Sequence, residues 1–201
     1  MFALHHYNSS CLYLFSDTTA ILLGHASGEV SGGLQSGLMH PVSGLDHVLA
    51  MVAVGLWGAQ LGKPQIWLLP IAFPLVMACG AALGVMGLRL PGVEIGIACS
   101  AIVLGLMVLF EARPPIVVSL ILVGVFAIFH GHAHGTELPH GESGILFSIG
   151  FVIGTGLLHA AGIGIGMIHR LTWGQTCLRL AGALVSAGGF YFLGDSLGWI
   201  S

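Results

Sequence analysis

Charge is what this chain lacks. Five Lys and Arg and eight Asp and Glu among 201 residues amount to 6% charged, against about a quarter in soluble domains. So few charges cannot cover a water-exposed surface, which excludes an ordinary soluble enzyme or binding domain. The few basic residues are scattered, and the formal net charge is −3. No basic patch exists to hold phosphates, so nucleic acid is excluded as a partner. No GxxxxGK[ST] segment is present, which argues against nucleotide coupling within the chain. Cysteine is sparse as well. Cys11, Cys79, Cys99 and Cys177 lie far apart without CxxC spacing, and they read as small buried hydrophobes rather than a redox or metal framework.

Apolar sequence fills the space that charge leaves. Hydrophobic residues make up 56% of the chain and the mean hydropathy is +0.98. The reading is an all-α polytopic membrane protein, a bundle of about six transmembrane helices, because a bilayer core of roughly 30 Å is crossed by about 20 apolar residues. The expected spans are Leu34–Leu61, Ile66–Leu88, Val93–Phe110, Pro115–His134, Gly144–Ile168 and Leu178–Ile200. Lys63, Arg113, Arg170 and Arg179 fall in the odd-numbered loops, whereas Arg89 alone falls in an even one. By the positive-inside rule the odd loops face the cytoplasm. The N-terminal end of the first span and the C-terminus then face outward. Residues 1–24 read as a signal-peptide-like or interfacial segment, since Ser16-Asp17-Thr18-Thr19 interrupts its apolar stretches and no basic residue precedes them. Residues 25–201 form the six-span domain. Glycine numbers 32, and the spacings Gly80/Gly84, Gly150/Gly154 and Gly162/Gly166 suit close helix packing in lipid. Gly162 to Gly166 also offers a pliable segment. The sequence leaves a homo-oligomer open.

Three polar clusters interrupt the spans. His40-Pro41-Val42-Ser43-Gly44-Leu45-Asp46-His47 places two imidazoles and a carboxylate in the first. On a continuous helix His40 and His47, seven apart, share a face. Asp46 points about 100° away from His47 and either edges the same cavity or holds an imidazole N–H. At the end of the fourth span, Phe129-His130-Gly131-His132-Ala133-His134-Gly135-Thr136-Glu137 puts His130, His134 and Glu137 on one face, with His132 turned away. His159 stands alone in the fifth span. Ionisable groups in lipid are functional sites by default, because a charge there costs roughly 2.5–3.5 kcal/mol on insertion scales. Imidazole and carboxylate together suit Ni²⁺, Co²⁺ or Zn²⁺ better than Ca²⁺ or Mg²⁺. The plain alternative is a buried hydrogen-bond network that holds the helices in register. A membrane-embedded zinc hydrolase is a second one, since three His and a carboxylate can bind Zn²⁺ and activate water.

The segment His40 to Trp57 resembles the signature of the HupE/UreJ family of hydrogenase and urease accessory membrane proteins. Phe126 to Pro139 looks like its second block, and Gly150 to His159 with Gly162 like its third. The resemblance covers about residues 25–201. It implies a six-helix bacterial inner-membrane permease, not an enzyme, that moves nickel and in some members cobalt to supply nickel enzymes. It implies no prosthetic group, only the transported ion and the bilayer as partners. The metal-handling residues it implies are His40, Asp46, His47, His130, His134, Glu137 and His159. His25, before Ala26-Ser27-Gly28, corresponds to a His-containing segment near the start of family members, and His25 with Glu29 reads either as an outer capture site or as plain solvated residues. The expected order of passage is capture at His134 and Glu137, transfer to His40, His47 and Asp46, and release past His159.

Overall fold

The computed structural model describes residues 32–137 and 143–200, and these fold into helices with no strand among them. The segments 1–31 and 138–142, with the expected N-terminal leader, His25, Glu29 and His140, lie outside the described residues. The helices are α1 (Gly32–Ser43), α2 (Leu45–Leu61), α3 (Gln65–Val85), α4 (Val93–Leu109), α5 (Ile116–Thr136), α6 (Gly144–Gly166) and α7 (Gly174–Ser196). A single 3-10 turn over Met167–Arg170 joins the last two.

Four of these, α3, α5, α6 and α7, are long and apolar enough to cross a membrane by themselves. The bent pair α1 and α2, whose axes meet at 83°, is long and apolar enough for a fifth when taken as one span. Helix α4 is apolar but shorter, at 17 residues. That accounts for the six expected runs. Their ends agree to within a few residues, the last span starting four residues earlier than the apolar run suggests. The first run is not one helix. Gly44 takes an extended conformation, φ −104° and ψ 120°, and the chain turns there. The shared-face expectation for His40 and His47 fails for this reason: they sit on two different helices.

Polarity is inverted relative to a soluble fold. Ile71, Leu75, Val117, Ile121, Ile145, Val152, Leu180 and Leu184 are exposed, whereas Ser100, His130, His134, Thr155 and His159 are buried. Lipid solvates the first group, and the bundle interior must satisfy the second. Cys79 and Cys177 are exposed and Cys99 half-buried, all of them free thiols, so the expectation of buried cysteines is corrected. Their apolar surroundings are lipid rather than core.

Small residues set which helices touch. A Cβ on Gly131 would collide with the Met77 carbonyl, and one on Gly80 with the Ile128 carbonyl, so α3 and α5 run side by side with their backbones in contact. Gly55 and Gly162 do the same for α2 and α6, and Gly150 brings α6 against Leu34 of α1. Gly105 and Gly182 join α4 to α7. Dispersion between closely approached backbones holds such pairs where lipid provides no hydrophobic drive. Gly162 to Gly166 is fully helical, so packing, not unwinding, explains its glycines. Span one thus pairs in parallel with span five, span two in parallel with span four, and span three antiparallel with span six. Exchanging the first three spans for the last three maps this pairing onto itself, as two inverted halves require.

Candidate metal centre

Five imidazoles and two carboxylates gather toward the end of the bundle where α2 begins and α5 ends. Helix α1 delivers His40 and the first turn of α2 delivers Asp46 and His47. The last turns of α5 deliver His130 and His134, with Glu137 as its C-cap. His159 comes from the middle of α6. The bend at Gly44 makes this convergence possible, because it lets one apolar run approach α5 from two directions.

The outermost group is His40, His134 and Glu137. His40 Nε2 donates to Glu137 Oε2 at 3.2 Å, and His134 Nδ1 lies 3.8 Å from the same oxygen. One donor atom from each residue fits within a span of 4.8 Å. Donors bonded to one ion at about 2.1 Å sit roughly 3–3.5 Å apart. Closing that gap asks for a small adjustment of Glu137, whose side chain is 55% exposed and free to make it.

The second group is deeper. The His47 ring lies 4.5 Å from the His134 ring and 4.7 Å from the His130 ring, centre to centre. His47 Nδ1 donates to Asp46 Oδ1 at 2.9 Å, and the same oxygen accepts the His47 backbone N–H at 2.8 Å. A carboxylate only accepts, so the proton is on Nδ1 and Nε2 keeps its lone pair. That Nε2 is buried with no hydrogen-bond partner. Of the two roles open to Asp46, this geometry gives it the one that fixes the imidazole tautomer.

His130 is held the same way by a residue that sequence spacing did not indicate. The Ser100 hydroxyl of α4 donates to Ile97 O at 2.6 Å and lies 2.9 Å from His130 Nε2. With its one proton given to Ile97, it accepts from His130 Nε2–H, leaving Nδ1 as the lone pair. His130 Nδ1 is buried and unpartnered. Two imidazoles are therefore fixed by neighbours so that their basic nitrogens face no protein donor. A network built only to hold helices would pair those atoms, since an orphaned buried acceptor costs about 1–3 kcal/mol. His132 lies apart, with Nε2 donating to Leu88 O at 2.7 Å. It ties α5 to the α3–α4 loop and does not join the cluster.

His159 is separate from the rest. Both of its ring nitrogens are buried without a hydrogen-bond partner. Between it and His130 stands Phe73 of α3, with ring centres 5.4 Å from His159 and 5.5 Å from His130. To one side of the cluster, a cavity of about 930 Å³ opens between α3, α5 and α6, lined by apolar side chains with His134 at its wall. Rather than grouping directly with His47, His40 lies beside Glu137 and His134, and His47 lies beside His134 and His130.

No solved structure matches this chain. A curated relative, Protein HupE of Rhizobium leguminosarum bv. viciae, is 45% identical over 168 residues, which cover 83% of this chain and 88% of that protein. The family described as HupE / UreJ protein matches residues 13–192, a range that contains every side chain placed above. Members of it are membrane accessory proteins and permeases rather than catalysts, and this multi-pass membrane chain belongs to the HupE/UreJ family.

Proposed function

We propose that the six-span unit, residues 25–201, is a permease that carries a divalent transition-metal ion, nickel first and cobalt second, inward across the bacterial inner membrane to supply nickel enzymes such as hydrogenase or urease. The observation that carries this reading is the set of buried, unpartnered imidazole nitrogens on His47, His130, His134 and His159, contributed by three different helices. Neutral imidazole is the form that binds such ions.

The ion enters between His40, His134 and Glu137, which replace part of its water shell. It passes to His47 and His130, whose lone pairs Asp46 and Ser100 keep available, and leaves by His159. No station offers more than three donors, short of a closed four-coordinate cage, and conduction needs sites weak enough to leave. Asp46 and Glu137 together match the charge of one divalent ion. The chain is oriented with the outer cluster and the C-terminus facing the periplasm, as the basic loops indicate. Glu111 and Arg179, paired at 3.1 Å, then lie at the cytoplasmic end. The zinc-hydrolase alternative has no support, because the family is not a catalytic one.

The test is uptake of radioactive nickel into proteoliposomes by the native chain and by His47→Ala and His130→Ala. Native uptake well above protein-free vesicles, with at least tenfold loss in each variant, is expected. Uptake indifferent to both substitutions would overturn the reading.

A further inference from the structure

Helix α3 contains two prolines, Pro70 and Pro74, one turn apart. Proline has no N–H, so Pro74 leaves the Pro70 carbonyl without its helical donor and Pro70 leaves that of Ile66 without one. The missing hydrogen bonds give α3 a place to bend on either side of Phe73. Phe73 sits between the two prolines and is fully buried. Its ring stands edge-on to His130 on one side, at an interplanar angle of 62°, and to His159 on the other, at 78°.

Every donor described above ends at this ring. His130, with His47, His134, His40 and two carboxylates beyond it, borders the ring, and so does His159. A benzene ring offers no lone pair, and an apolar constriction of this kind gates by excluding both water and hydrated ions. Resting on the permease reading, we propose that Phe73 is the barrier separating an outer imidazole site from an inner one at His159, and that an ion crosses only when α3 bends at Pro70 and Pro74 to withdraw the ring. The α3 helix has room to do so. Its face toward α6 borders the 930 Å³ cavity, with Pro74, Met77 and Ala78 in the wall.

The barrier is tested by accessibility as well as flux, so that its failure can be told from failure of the permease reading. In the full chain with its four cysteines replaced by serine, His159→Cys is exposed from the outer side to 2-aminoethyl methanethiosulfonate. With Phe73 present, labelling is expected to be slow. With Phe73→Ala, or with Phe73→Leu should the alanine variant not fold, it is expected to rise at least tenfold. Nickel uptake by the single variant Phe73→Trp should fall at least tenfold while Co²⁺ binding to the outer imidazoles, read from its visible absorption, is unchanged. Labelling of His159→Cys at the same rate with and without the ring would overturn the barrier even in a chain that transports nickel. Changed labelling in a chain whose native form carries no nickel would keep the barrier and overturn the permease.

Discussion

The contact between α3 and α5 and the seam between α3 and α6 are built on opposite plans. In the first, Gly80, Gly131 and Gly135 let two backbones meet with no room for a methyl group. In the second, the neighbouring helix faces stand back from each other around a cavity of about 930 Å³. The same contrast holds on the other side of the seam, where Gly55, Gly150 and Gly162 fix α6 against α1 and α2. The donors divide along this line. His130 and His134 belong to the α3–α5 pair; His40, His47 and His159 belong to the α1–α2–α6 group. The candidate donors thus sit on two glycine-packed groups of helices, and the proposed metal path runs beside the cavity between α3 and α6. Close-packed interfaces change little in shape, and relative motion concentrates where packing is poor.

The largest expected effect of breaking this contrast is at the tight contact. Gly131→Leu puts a branched side chain against the Met77 carbonyl and should destabilise by about 3 kcal/mol or more, the upper end of overpacking penalties. Thermal unfolding in detergent would show a drop of many degrees or no folded protein at all; an unchanged midpoint would remove the claim that this interface is rigid. Next in size is Ser100→Ala. With His130 free to place its proton on either nitrogen, metal affinity should fall about 10–100-fold, the usual cost of losing a residue that orients a ligand. Titration with Co²⁺ measures this, and Asp46→Asn should fall in the same range through His47. Affinity unaltered in both would mean that tautomer control does not matter here. The smallest effect belongs to the seam. Ala82→Leu points an added side chain into the cavity and should alter stability by no more than about 0.5 kcal/mol, as for an ordinary surface change. A loss as large as that of Gly131→Leu would erase the distinction between the two regions.

Most of the fold could be read from apolar run length, since a bilayer sets a narrow range for a helix that crosses it. The exception at Gly44 has a physical reason. Leu34 to Leu61 was too long for one perpendicular crossing, and a Pro and a Gly near its polar cluster offered a place to turn, but composition does not tell a tilted helix from a broken one. Within the candidate site, the residues proposed to touch an ion announce themselves, because His, Asp and Glu are conspicuous in lipid. Glu137 and His134 were legible as neighbours from their spacing on α5. The contact of His40 with Glu137, across 97 residues, was not, because it depends on the turn at Gly44. Ser100 and Phe73 were invisible for another reason. A serine or phenylalanine in an apolar span is unremarkable until a histidine from another helix is found beside it.

The two carboxylates of the outer cluster have a consequence for energetics. A doubly charged ion held among Asp46, Glu137 and the imidazoles forms a complex with no net charge. Past the Phe73 ring the proposed path offers the same ion neutral His159, so its charge would go unmatched there. Its stay there is the least favourable moment of the crossing. Because each elementary charge gains about 2.3 kcal/mol per 100 mV on moving fully through the membrane field, an inside-negative voltage would help draw the ion through that proposed step.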